Sequence, residues 1–248
     1  MSRPAPAADR IRSQARLDTG ILLRNGEQLI VSMILPALAL IVAVKAPYPD
    51  LGPGARVDVA APGVLALAVI STAFTGQAIA TGFDRRYGVL RLLGVTPLGR
   101  SGLLAGRIAA VLLVEAVQFA VLAGLGLALG WRPQVVGLLP FAVFWLVGTI
   151  TFVAFALLLA GTLRPEATLA VANLIWVLLL GLGGVVLPAA QFGAPWSAMI
   201  AALPSAALAD GFRAAFSGHG LPVVSLLVLA AWGAVFSLGT ARWFRWSE

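Results

Sequence analysis

The sequence predicts an all-α integral membrane protein, and three features carry that prediction. Apolar residues make up 60% of the 248 and charged residues only 11%, too little charge to coat a soluble surface. Uncharged runs long enough to cross a hydrocarbon core of about 30 Å, at a ~1.5 Å rise per residue, recur along the chain. With those runs laid out as spans, thirteen of the 17 basic residues fall on one side of the membrane, the asymmetry expected of a cytoplasmic face. The net charge of +7 would suit a nucleic acid, but the arginines flank apolar runs, where topology and anionic lipid account for them. The absence of cysteine removes disulfides, thiolate metal sites and thiol nucleophiles.

Residues 1–27 carry Arg3, Arg10, Arg12, Arg16 and Arg24 without a spanning run. An apolar h-region and a small-residue cleavage site do not follow the basic start, so a signal peptide is not expected. Ile11, Ala15, Leu22 and Leu23 among the arginines suggest a helix lying in the interface. Six spans follow. The first covers about Gln28 to Val44, with a kink expected at Pro36, and Lys45 to Pro62 reads as a turn-rich loop. Gly63 to Gly82 is a second span, Ile108 to Leu129 a third, and Trp131-Arg132-Pro133 an interfacial anchor and turn. A fourth span lies within 133–163 and ends at the Arg164-Pro165-Glu166 turn. Ala167 to about Leu187 is the fifth and Leu221 to Ala241 the sixth. Both termini are then cytoplasmic, with Lys45, Arg56, Arg132 and Arg213 outside.

Between the second and third spans lies Phe83 to Arg107, with five arginines. A helical wheel puts Asp84, Tyr87, Gly88 and Arg91 on one face and Val89, Leu90, Leu92 and Leu93 on the other, facing the membrane domain. Thr96-Pro97 then resembles a helix start. Residues 188–220 are too apolar for a plain outer loop. Pro204-Ser205 opens a helix there, Leu208, Phe212 and Phe216 share one face, and Asp210 and Arg213 are spaced to pair. The segment is expected to dip into the outer leaflet as re-entrant helices.

Candidate chemistry is sparse. The only lysine, Lys45, sits in VAVKAP, so no phosphate-binding loop of the ATPase type exists. The only histidine, His219, has no carboxylate or second imidazole near it in sequence, so no metal site is expected. Glu115 falls about two turns inside the third span, with Gln118 one turn on. A carboxylate there costs roughly 2.5–3.5 kcal/mol unless protonated, partnered or wetted. Either a structural hydrogen bond or a substrate path satisfies that condition. Gly126 with Gly130, and Gly181, Gly183 and Gly184, have spacings that would let helices approach closely, although a chain with 27 glycines also produces such spacings by chance.

Six spans, a basic interfacial N-terminus, a helical loop after the second span and outer helices before the last together resemble the ABC type-2 exporter permeases. The loop FDRRYGVLRLLGVTP is similar to that family's E-R-E-x-G-T-L-E-x-L-x-x-T-P pattern at Asp84, Arg85, Gly88, Leu90, Thr96 and Pro97. Arg86 and Arg91 stand where the pattern has glutamates. LLRNGEQLI at 22–30 and LPSAALADGFRAAF at 203–216 are similar to actinobacterial daunorubicin-resistance-type or multidrug permeases. The resemblance implies an elbow helix over 1–27 and a transmembrane domain over 28–248. It implies a coupling helix that contacts a separate ABC ATPase through Asp84, Arg85, Arg86, Tyr87, Gly88, Arg91 and Thr96, with a more acidic groove than usual on that partner. A second permease chain and membrane lipids are the other implied partners. No cofactor is expected on this chain, since ATP and magnesium would sit on the ATPase, and export of a hydrophobic or amphipathic substrate across the plasma membrane is the implied function. The rival is a proton-coupled secondary transporter using Glu115, against which stands the lack of an inverted repeat between the two halves. An intramembrane enzyme would need more polar residues within the spans.

Overall fold

The computed structural model describes residues 5–24, 26–94 and 96–245, without the side chains of Leu23, residues 26–31, Leu93, Gly94 and Arg100. Arg3 and the Leu23 and Leu93 positions of the expected apolar stripes therefore lie outside the described residues. Every regular element among them is helical. Helix α1 (Ala7–Arg24) buries Gln14 and Ala15 and packs along the start of α6 (Gly99–Ala128). Between them in sequence come α2 (Gly26–Lys45), α3 (Arg56–Val69), α4 (Gln77–Arg86) and the short α5 (Val89–Gly94). The chain continues through α7 (Leu138–Thr162), α8 (Pro165–Leu182), α9 (Trp196–Ala201), α10 (Pro204–Phe216) and α11 (Val223–Trp243).

Five helical stretches among the described residues are long and apolar enough to cross a membrane: Arg56–Arg86, Ser101–Ala128, Val135–Thr162, Pro165–Leu182 and Val223–Trp243. The expected first span corresponds to α2, which contains Pro36 and whose apolar stretch Ser32–Lys45 is shorter. The second span departs most from expectation. It begins at Arg56 rather than Gly63 and continues through a π-helical segment, Ile70–Gly76, into α4 as one rod of 31 residues. At ~1.5 Å per residue that rod is about 46 Å long, more than a hydrocarbon core needs. Pro62, which suggested a loop, sits inside the helix. It removes one helical donor, and Gly63 beside it has no side chain to hold off the backbone of Val185. Most of the rod is buried, with Val64, Ile70 and Phe74 fully so, whereas α8 and α11 turn most of their apolar side chains outward.

The third span also starts early. Thr96 and Pro97 lie in a turn and the helix begins at Gly99, whose N–H donates to Thr96 O at 3.2 Å. At the opposite end of the bundle, α10 lies against α3, α7 and α11. It buries Leu208, Phe212 and Phe216 as its four-residue spacing requires. Phe212 and Phe216 stack around Phe141 at ring distances of 4.7 and 4.9 Å.

Candidate functional site

The arginine-rich end is organised by where α4 stops. The N–H of Tyr87 donates to Phe83 O and that of Gly88 to Arg85 O, and Gly88 takes a φ of 72°. A left-handed residue of this kind ends a helix at little cost only when it is glycine. The single amphipathic helix expected from Asp84 to Leu93 is therefore two helices with a corner, and the wheel drawn across Gly88 does not apply. Beyond the corner, α5 turns Leu90 inward at 2% exposure and leaves Leu92, expected to face inward, at 68%. Arg91 and Thr96 are exposed, and Tyr87 is 72% exposed while stacking on Phe83.

The residues before the corner point the other way. Asp84 forms an ion pair with Arg107, a residue of α6 that also donates to Thr81 Oγ1 at 2.7 Å. The buried Arg85 donates to Ala160 O at 2.7 Å and to Leu163 O, both at the end of α7. Arg86 pairs with Glu166 in the first turn of α8. Of the seven residues expected at a protein contact, Tyr87, Arg91 and Thr96 lie on the open surface beside the Gly88 corner. Asp84 and Arg85 fasten that corner to α6 and α7, and Arg86 ties it to α8. Sequence reasoning missed Arg107, Glu166 and the Ala160 and Leu163 carbonyls as partners. Arg107 carries a signal in hindsight, being a lone cation at the edge of an apolar run.

Helix α1 closes the same end. Asp18 accepts from Gln14 Nε2 at 2.9 Å. Burial pushes its carboxyl above the ordinary carboxylate range, outweighing the Gln14 hydrogen bond and the charge of Arg107, while Asp84 pushes the same way as burial.

Glu115 and Gln118 are both fully buried but serve different contacts. Glu115 Oε2 accepts from Trp145 Nε1 at 2.6 Å and Thr149 Oγ1 at 2.7 Å, joining α6 to α7. Gln118 accepts from Thr72 Oγ1 at 3.0 Å and donates to Ser32 Oγ at 3.1 Å, joining α6 to the π-helical segment and α2. A π-helical turn shifts the register of the residues that follow it, and here Thr72, within that turn, meets Gln118. Asp210 and Arg213 pair at 2.8 Å as their spacing suggested. Arg213 also donates to Val59 O of α3 at 3.3 Å, and to Gly184 O at 3.0 Å and Val185 O, the last two just past the end of α8.

The arrangement offers a fastened corner with an exposed basic and aromatic face, which suits contact with another protein. The ABC-2 type transporter family model matches residues 19–217, from the last turn of α1 to the end of α10. The comparison with curated proteins gives no match. The match covers most of the chain, taking in the corner and the helices from α2 to α10 but not α11, and the protein belongs to the ABC-2 type transporter family as a membrane-spanning permease component.

Proposed function

We propose that the chain is the permease subunit of an exporter that moves a hydrophobic or amphipathic substrate outward, driven by ATP hydrolysed with magnesium on a separate ATPase. Family membership implies an ABC ATPase partner; the finer reading concerns where it docks and what it moves. The observation that carries this reading is the Gly88 corner, where exposed Tyr87, Arg91 and Leu92 stand at the tip of a rod fastened to three other helices. A partner that closes on ATP and grips this face would displace α5. Asp84 with Arg107, and Arg85 with the α7 carbonyls, would carry the displacement into α6 and α7. Such a ligand shifts the membrane helices only as far as its affinity differs between their two arrangements. The arginine bias supports placing this end and both termini in the cytoplasm. The basic Arg86 and Arg91 favour an acidic groove on the ATPase, and the outward-turned faces of α8 and α11 leave room for a second permease chain or lipid.

Glu115 and Gln118 are assigned to helix packing, because Gln118 spends both its polar atoms and Glu115 its Oε2 on neighbouring helices, while Glu115 Oε1 is buried without a hydrogen-bond partner among the described residues. A proton-coupled cycle through Glu115 has no comparable support. The reading is tested by purifying the chain with an ABC ATPase encoded beside it and measuring vanadate-sensitive hydrolysis against a panel of lipids and apolar drugs. A stable complex whose hydrolysis rises with an apolar compound is expected. A chain that transports in vesicles on a proton gradient without any ATPase would refute it.

A further inference from the structure

Beside the corner, and separate from the α5 face, a cavity of about 620 Å³ opens among the ends of α4, α7 and α8 and the residues after α11. Arg85, Arg86, Arg164 and Arg245 line it together with Glu166 and Thr162. Four guanidiniums face one carboxylate, and the four are differently occupied. Arg85 is held by two α7 carbonyls and contributes its field from the wall. Arg86 shares its charge with Glu166. Arg164 and Arg245 are exposed, and among the described residues neither side chain has a carboxylate or hydrogen-bond partner. Arg245 is nevertheless positioned rather than trailing. Its backbone N–H donates to Gly161 O at 3.1 Å, and Phe244 lies against Gly161, where any side chain would collide with the ring.

Like charges gathered around one space repel, and an anion placed among them relieves that repulsion. Guanidinium forks match phosphate oxygens in pairs, so two unpaired arginines facing one cavity select phosphate over a simple halide. The volume lies within the ordinary range of ligand sites and equals that of roughly twenty waters at ~30 Å³ each, enough for a phosphate-bearing headgroup and its hydration. The cavity also sits at headgroup depth. It is bounded by four span ends, and Trp243, 58% exposed at the end of α11, is the kind of aromatic residue that marks a membrane–water interface.

We propose that this cavity binds a phosphate-type anion through Arg164 and Arg245, with the headgroup of an anionic phospholipid as its source. The full chain is purified in neutral detergent without any ATPase, so the result does not depend on the transport reading. Dioleoyl phosphatidylglycerol, dioleoyl phosphatidylcholine and inorganic phosphate are added in turn, and bound species and the unfolding midpoint are read by native mass spectrometry and thermal denaturation. Wild type is expected to retain phosphatidylglycerol in preference to phosphatidylcholine. The Arg164→Gln/Arg245→Gln double variant should lose about tenfold or more of that retention, since each basic residue near a membrane surface adds roughly fivefold. Arg132→Gln, at the other end of the bundle, should lose none. The Arg164→Lys/Arg245→Lys variant keeps the charge without the fork and should hold part of the preference, which also guards against a misfolded glutamine variant. A midpoint shift produced by inorganic phosphate alone, abolished in the glutamine variant, would support the site and assign it to a free anion. Equal phosphatidylglycerol retention by wild type and the glutamine variant would overturn the proposal, as would equal loss in the lysine and glutamine variants. It would also be overturned if the glutamine variant kept its lipid and instead lost an acidic protein partner.

Discussion

The two ends of the helix bundle are built on opposite plans. At the end holding α10, apolar side chains interlock, and Arg213 reaches from one helix to a carbonyl of α3 and two just past the end of α8. At the other end, α5 contributes one buried leucine, and the glycine corner before it is joined to the bundle through Asp84, Arg85 and Arg86 of α4. An interlocked core resists small displacements, because packed interiors deform little. The Arg86–Glu166 pair is exposed on both sides and tolerates movement, since such pairs have modest energies that vary slowly with geometry. The difference sets an interlocked apolar end against one held by charged contacts beside a glycine corner.

Breaking the stiff end should cost most. Arg213→Met leaves several carbonyls and Asp210 without their shared donor, and a loss of about 3 kcal/mol is expected from hydrogen bonds to a charged group. Thermal unfolding in detergent reads it directly. Arg213→Lys should recover only part, because one ammonium cannot span the positions that a planar fork reaches. An unchanged midpoint in the methionine variant would remove the clasp from the account. Paired glycine substitutions sharpen the contrast further. In Gly63→Ala the new methyl group would overlap Val185 O, with an expected loss of ~1–3 kcal/mol from overpacking. Gly88→Ala meets no atom within 4 Å and carries only the strain of a φ of 72°, about 1 kcal/mol. Equal losses at the two sites would erase the distinction between the ends.

The smallest effect should be at Asp18, and it should depend on pH. Because the fold raises this carboxyl's pKa, the protonated form is favoured by folding, and a penalty appears as pH rises through the raised value. Its stabilising contribution is thus fully present below the ordinary value of 3.8 and lost above the folded one. Asp18→Asn should be slightly more stable than wild type at neutral pH, and the gap should close on acidification toward that ordinary value. A gap that widens on acidification would reverse the assignment of burial as the leading cause.

The spans α7, α8 and α11 were legible because uncharged runs of the right length admit one interpretation, and most of α6 because a single Glu115 does not break its apolar run. The start of the second span was not, because Arg56, Asp58 and Pro62 are loop-like in isolation and their helix is held by packing with α10 and α2. The π-helical turn left no sequence mark, since an inserted residue in an uncharged run of mixed apolar and small polar side chains breaks no clear periodicity. Near the corner, the exposed basic face was legible from charge. The inward pointing of Asp84 and Arg85 was not, because their partners are an arginine 23 residues on and two backbone carbonyls, and carbonyls have no identity in sequence. Burial of Glu115 followed from its place in the span, but Trp145 and Thr149 as its donors required the helices to be assembled.

The central claim is that the exposed face beyond Gly88 receives the ATPase, and charge reversal at Arg91 tests it most directly. Arg91 is exposed and, among the described residues, makes no hydrogen bond or ion pair with its own chain, so Arg91→Glu should leave expression and the unfolding midpoint as in wild type. Co-purification of the variant with the ATPase should fall about tenfold or more, as expected when a like charge replaces a complementary one at a contact, and substrate-stimulated hydrolysis should fall with it. An Arg91→Glu chain that recovers the ATPase in wild-type amount and keeps its stimulated hydrolysis would place the contact elsewhere and contradict the account.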